Sequence, residues 1–267
     1  MRPPKHSTRG NNNLDFSRLN TDNEANSAKP SEEKLMESNA TFLQPIPVAQ
    51  QDVNVRSRFI MQTYNHLFGA IALFTLIEIA LFKSGVAKPI AEFMLSAHWL
   101  LILGAFMIVG WFSSRAAATA KSLGSQYAAL LAFVAAEAII FIPLLYIANN
   151  YAPGAIQSAA GTTVLGVAGL TAVAFVTRKD FSFLRSILMW AFVVALVLIV
   201  ASVVFGFQLG TWFSVAMIGF AGAAVLYDTS NVLHHYEKDR YVAAALQLFS
   251  SIALMFYYVL MVFVSRR

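Results

Sequence analysis

The sequence contains no cysteine, and it carries little charge. The first absence excludes disulfide bonds, thiol catalysis and cysteine metal sites. Asp, Glu, Lys and Arg make up 12% of the residues, against roughly 25% in soluble domains. Apolar residues take their place, at 58% of the 267 residues, and the mean hydropathy is +0.61. Since a soluble globule could not bury so much apolar surface, the composition predicts a polytopic integral membrane protein in contact with a lipid bilayer.

Several enzyme and cofactor motifs are also missing. No glycine-rich loop follows a strand, no H-E-x-x-H order occurs, and no G-x-S-x-G elbow is present. His234 and His235 are adjacent and would point to different faces of a helix, so chelation by this pair is not expected. We therefore expect no enzyme activity, no cofactor and no metal site. Although the pI is near 9.5, the basic residues form no stripe with interleaved aromatics, so no nucleic-acid partner is expected.

Residues 1–55 differ in composition from the rest. They contain the run Asn11–Asn13, five prolines, mixed charges and few apolar side chains. Such a segment cannot offset its ordering entropy by burial. It is predicted to be a disordered polar tail, with a role in partner binding left open, ahead of a membrane domain at residues 56–267.

Seven apolar segments follow the tail, each about 19–23 residues long. They are Tyr64–Phe82, Phe93–Phe112, Gln126–Ala148, Ala155–Thr177, Phe183–Phe205, Thr211–Leu233 and Val242–Val264. At a rise of about 1.5 Å per residue, each can cross a hydrocarbon core of about 30 Å as a helix. Helices are required because lipid cannot satisfy exposed backbone groups. The predicted fold is an all-α bundle of seven transmembrane helices.

Basic residues at the segment ends predict the orientation. With a cytoplasmic N-terminus, nine Lys and Arg lie in cytoplasmic loops and four outside, which agrees with the positive-inside rule.

Small residues predict which helices pack closely. Gly161, Gly166 and Gly169 of the fourth segment and Gly219 and Gly222 of the sixth are expected to lie inside the bundle.

Three acidic residues fall within apolar segments: Glu78, Glu137 and Asp228. Glu78 is near the outer end of its helix, where its side chain could extend to water. Glu137 is central, and either hydrogen bonds or a role in an ion path would account for it. A charged Asp at membrane depth costs about 2.5–3.5 kcal/mol on insertion scales and is a functional-site hypothesis by default. The alternative for Asp228 is an interfacial carboxylate paired with Lys or Arg.

Asp228 has polar neighbours on its own helix. Asn231 follows at i+3 on the same face, and His235 lies two turns further along. With partners that change, such an aspartate can alter its protonation state near physiological pH.

Three segments together resemble the transmembrane Bax-inhibitor-motif family. They are Lys179–Leu184, Leu226–Asp228 with Asn231, and Ala243–Phe249. The resemblance implies a central helix surrounded by six others and a calcium leak tuned by pH. It also implies a sensor of two aspartates on the last two helices, which hold the pore shut when they share a proton.

This sequence departs from that pattern at two places. Asp228 matches the first aspartate, but Ser251 takes the position of the second. Either Asp228 senses pH alone, or Glu137 substitutes, or the protein does not conduct calcium. The family's latch arginine on the second helix is replaced by Ser113, and Arg115, two residues later, could reach Asp228.

We therefore expect a pH-sensitive cation leak, conducting calcium ions, with Asp228 as gate and sensor. Asn231, Glu137, Ser251 and Arg115 complete the predicted ion pathway. The competing class is a non-conducting interaction protein that regulates a membrane-anchored AAA protease or stress survival, as the resemblance implies for relatives that lack the second aspartate.

Overall fold

The computed structural model describes residues 46–96 and 122–266, with residues 104, 107, 108, 111, 115 and 119 between them. Within that part of the chain the regular structure is helical, apart from one isolated β-bridge between Pro47 and Glu237. A short 3-10 helix, Val48–Gln50, comes first. The α-helices are α1 (Val53–Lys83), α2 (Ala87–Ser96), α3 (Leu123–Tyr151), α4 (Ala155–Thr177), α5 (Leu184–Phe205), α6 (Gly210–His234) and α7 (Tyr241–Ser265). The all-α fold class is thereby confirmed.

Six of these helices, all except α2, are long and apolar enough to cross a membrane. Those from α3 to α7 begin and end within three residues of the predicted segments, and the bounds of α4 agree at both ends. Helix α1 starts 11 residues earlier than predicted. Its 31 residues give a length of about 46 Å, so its first turns extend beyond the hydrocarbon core. Most of the predicted segment Phe93–Phe112 lies outside the described residues; Gly104, Met107, Ile108 and Trp111 within it are each helical.

Helix α7 is the central helix of the bundle. It packs against α1, α3, α4 and α6, and its buried residues are distributed around the helix rather than along one stripe. The run Ala243–Ala245 is buried near its start. Small side chains there let neighbouring backbones approach where lipid provides no hydrophobic drive for association.

An aromatic cluster joins α7 to α1 and α3. The ring of Phe141 stacks on Phe256 with centroids 5.6 Å apart. It meets Phe74 and Tyr257 edge-on, at 5.1 and 5.4 Å. Such arrangements are favoured by the ring quadrupoles, so the cluster fixes how three helices sit against one another.

The glycines of α4 divide into two groups. A Cβ on Gly166 would lie 2.6 Å from the Met255 methyl of α7, so this glycine does allow close packing. Gly161 and Gly169 have no atom of the described residues within 4 Å of that position and are exposed. The prediction that all three lie inside the bundle is therefore wrong for these two: α4 is turned so that Ala155, Ala159, Thr163 and Ala174 face inward. On α6, Gly222 lies against Leu170 of α4, as expected. The prediction is wrong for Gly219, which is exposed and has no described atom within 4 Å of its Cβ position.

Residues 46–55 fall inside the predicted disordered tail, yet the structure folds them. Val48 is fully buried, and its backbone N–H donates to the carbonyl of Tyr236 over 2.8 Å. This pairing attaches the chain ahead of α1 to the loop between α6 and α7. Residues 1–45 of the predicted tail lie outside the described residues.

Candidate functional site

Asp228 lies near the end of α6 and is buried, with 2% of its surface exposed. The hydroxyl of Ser251, on α7, donates a hydrogen bond to its Oδ2 over 2.5 Å. A buried carboxylate requires such donors, because it has lost its hydration. The position predicted for a second aspartate is therefore in direct contact with Asp228, and the contact joins the sixth helix to the central one.

A polar crevice opens beside Asp228 at the end of α6. It has a volume of about 400 Å³ and is lined by Ser182, Arg185, Tyr227, Asn231, His235 and Tyr236. Asn231, predicted to share a face with Asp228, thus contributes to the crevice. We refer to this space as the α6 crevice.

Tyr236 lines the α6 crevice and lies near the buried carboxylate of Asp228. Burial raises the pKa of the Tyr236 phenol, and the nearby charge of Asp228 raises it further. The phenol therefore stays neutral at physiological pH, close enough to Asp228 to respond electrostatically to its protonation state. The backbone of Tyr236 is held by Val48, a contact with no local sequence signal.

The loop between α4 and α5 is docked onto the same end of α6. The Asp180 carboxylate accepts hydrogen bonds from His235 Nε2 at 3.0 Å and from the Ser182 backbone N–H at 2.9 Å. The Phe181 N–H donates to the hydroxyl of Ser230 over 2.9 Å. Partial burial acts to raise the pKa of Asp180, but the bonds from His235 and Ser182 outweigh it, so the pKa is lowered. The segment Lys179–Leu184, which carries part of the family resemblance, therefore anchors the wall of the α6 crevice.

Glu137 lies deeper in the bundle and is also buried, with 5% exposed. It lines a cavity of about 160 Å³ between α3, α5, α6 and α7, together with Met217 and Tyr257. Asp228 does not line this cavity. Along α7, Ser251 and Tyr257 are six residues apart, so the two acidic positions are separated by roughly 9 Å along the central helix. Glu137 and Asp228 therefore occupy different levels of the bundle.

Glu78 does not extend to water as predicted. Glu78 is buried, with 7% of its surface exposed. Neither of its carboxylate oxygens has a hydrogen-bond partner among the residues that the structure describes. It lines a pocket of about 330 Å³ with Leu145, Asn149 and Ile156. The reason is the rotation of α1, which turns Glu78 toward α3 and α4 rather than toward solvent.

Arg115 is not brought to Asp228. Its guanidinium lies over the ring of Trp111, one turn earlier, at 5.4 Å from the ring centroid. This is a cation–π distance. Within the described residues, no ion pair joins Arg115 to Asp228.

Comparison with known proteins agrees with this architecture. The family model described as "Inhibitor of apoptosis-promoting Bax1" matches residues 56–267. An uncharacterized protein of Pseudomonas aeruginosa is 36% identical over 111 residues, which are 40% of this chain and 49% of that relative. The match thus spans about half the length of the relative. Because the family model covers most of the sequence, the chain belongs to the Bax inhibitor family.

Proposed function

We propose that the protein is a pH-sensitive cation leak pathway for calcium ions, gated by Asp228. The contact between Ser251 and Asp228 is the observation that carries this proposal, because it places a titratable group at a junction between α6 and the central helix. A side chain at such a junction can couple its protonation to helix movement.

The direction of the pH response follows from burial. A protonated Asp228 is neutral and is stable in a dry, closed bundle. The ionised form needs water, a cation or a change of neighbours to replace lost hydration. The α6 crevice is the adjacent polar space from which water or a cation could reach it. We therefore expect the leak to increase as the pH rises.

Calcium flux into proteoliposomes tests this mechanism. The purified full-length protein would be reconstituted around a calcium dye, and flux would be followed between about pH 5 and pH 8. Asp228→Asn, which is permanently neutral, should give low flux at every pH. Asp52→Asn is the matched control, because Asp52 precedes α1 and its side chain forms no capping bond. A D228N protein that keeps the parental flux and pH response would overturn the gate role.

Glu137 is proposed as a second carboxylate on the route. Since its cavity is separate from Asp228, Glu137→Gln should reduce flux while leaving the pH midpoint unchanged. If E137Q conducts like the parent, Glu137 serves the packing around Tyr257 instead.

We also propose that the α6 crevice faces the cytoplasm, as the basic residues predict. The cysteine-free chain allows a direct measurement. In intact cells, a membrane-impermeant maleimide should label Ser84→Cys, which follows α1, but not Ser182→Cys in the crevice. The opposite labelling pattern would reverse the proposed orientation.

One observation favours a second candidate function. Because position 251 holds a serine, the two carboxylates implied by the family resemblance are not paired here. A non-conducting regulator of a membrane-anchored AAA protease would not need them. Reconstitution with such a protease separates the two functions: slowed substrate degradation without calcium flux at any pH would support the regulator and reject the leak.

A further inference from the structure

Three basic side chains converge on a groove between the ends of α1, α4 and α6. Arg56 comes from the first turn of α1, Arg178 follows the last residue of α4, and His234 ends α6. The groove has a volume of about 510 Å³. Neither guanidinium forms an ion pair with an acidic side chain in the described part of the chain. We call this space the basic groove.

The backbone at Arg178 shows that the side chain is held there against a steric preference. Its φ is 50°, and among the described residues no other non-glycine has a positive φ. Glycine is the favoured residue at such a helix end, and Gly206 takes this conformation after α5. An arginine at this position retains a guanidinium where glycine would fit with less strain.

His234 is fixed in orientation by a local bond. Its Nδ1 lies 2.9 Å from the carbonyl oxygen of Ser230, one turn earlier. With Nδ1 donating to that carbonyl, Nε2 is the ring nitrogen left to bind a ligand at the groove. The groove thus offers two guanidiniums and one imidazole edge.

The floor of the groove is apolar. Ile60 and Met61 from α1 and Phe175 from α4 line it, about one turn inside the two arginines. Met61 is 58% exposed. An apolar floor beneath a cationic rim, at the end of three membrane-spanning helices, matches a ligand with an anionic head and a hydrocarbon body.

We propose that the basic groove binds an anionic phospholipid, with its phosphate at Arg56 and Arg178 and an acyl chain along Met61 and Phe175. Guanidinium groups bind phosphate oxygens in a bidentate manner. Basic pockets between transmembrane helices are a known way to hold acidic headgroups. Free phosphate could satisfy the rim but leaves the apolar floor uncovered. The site is independent of calcium conduction.

Native mass spectrometry of the full-length protein tests the proposal. The protein would be extracted from vesicles of phosphatidylcholine with or without phosphatidylglycerol, and retained lipid would be counted. The double variant Arg56→Gln/Arg178→Gln should retain about tenfold less phosphatidylglycerol than the parent. The matched control is Arg58→Gln/Lys179→Gln, which removes the same charge from adjacent positions that do not line the groove. If both double variants lose the same amount of phosphatidylglycerol, or if neither loses any, the proposed binding site is rejected.

Two further measurements test whether the ligand is a phospholipid bound at Arg178. Arg178→Gly removes the guanidinium at a position where glycine relieves strain, so it should fold normally and still retain less phosphatidylglycerol. A short-chain phosphatidylglycerol should displace the bound lipid, whereas inorganic phosphate at the same concentration should not. Displacement by phosphate alone, or full retention by R178G, would reject an anionic phospholipid as the ligand.

Discussion

The hydroxyl of Ser251 donates to the carboxylate of Asp228 at the junction of α6 and α7. The resemblance implies two aspartates at these positions. A pair of carboxylates is held together only while it shares a proton. A serine can donate to the ionised aspartate and can also accept from the protonated one. The contact in this protein is therefore compatible with both charge states, and its pH response has to come from the burial of Asp228 rather than from repulsion between two acids.

Removing the Ser251 hydroxyl should destabilise the bundle. Ser251→Ala leaves the buried carboxylate without this donor, which costs about 1–3 kcal/mol. Thermal unfolding of the purified protein in detergent measures the effect. Ser250→Ala is the control, because Ser250 is adjacent on α7 and less buried. Equal melting temperatures for S251A and the parent would show that the contact does not stabilise the bundle.

Introducing a second carboxylate at position 251 should change the pH dependence of calcium flux. Ser251→Asp puts two acids in contact, so they would compete for one proton and separate when both ionise. We expect a steeper pH dependence of calcium flux than in the parent. A flux profile of S251D that overlies the parental curve at every pH would contradict this prediction.

The pair of Asp180 and His235 predicts a small, pH-dependent contribution to stability. The folded-state pKa of Asp180 is lowered below its ordinary value of 3.8. Its stabilising contribution is therefore present above that value and is lost as the pH falls through the lowered pKa. Both side chains are nearly half exposed, so solvent screening limits the effect to less than about 1 kcal/mol.

Asp180→Asn should accordingly lower the melting temperature at neutral pH, and the difference from the parent should disappear once the pH falls below the lowered pKa of Asp180. Asp239→Asn, on the exposed turn before α7, serves as the charge-matched control. If the melting temperature of D180N remains below that of the parent by the same amount in acid, the effect comes from lost packing and not from lost charge.

The positions of the helices could be predicted because the bilayer constrains them strongly. Length and apolar content alone locate α3 to α7 to within three residues. The early start of α1 could not be found this way, since its first turns are polar and extend beyond the hydrocarbon core. The contact between Asp228 and Ser251 could be predicted only from the family resemblance.

The rotation of each helix could not be predicted. In a membrane, apolar residues surround the whole helix, so hydrophobic periodicity does not identify the inner face. Glu78 and Gly161 were both assigned to the wrong environment for this reason. The docking of Asp180 on His235 and of Val48 on Tyr236 joins residues far apart in sequence, and no local pattern reports such contacts.

The two groups of glycines in α4 should respond differently to alanine. Gly161→Ala meets open space, so the better helix propensity of alanine should stabilise the protein by about 0.5–1 kcal/mol. Gly166→Ala requires the Met255 methyl to move. Since that side chain is flexible, the packing cost should roughly cancel the propensity gain. Thermal unfolding of both variants checks this ranking, and a G161A protein less stable than G166A would reverse it.

Phe141 is expected to be the most sensitive position of the aromatic cluster. It is 1% exposed and contacts Phe74, Phe256 and Tyr257 at once. Phe141→Ala would leave a cavity that three helices border, at a cost of about 2–4 kcal/mol. Most of that cost is lost van der Waals contact, because the unfolded helices would still lie in lipid. Phe183→Ala, at a residue 62% exposed, is the control and should change stability by less than about 0.5 kcal/mol. If Phe141→Ala and Phe183→Ala lower the stability by comparable amounts, the aromatic cluster does not hold α1 and α3 against the central helix.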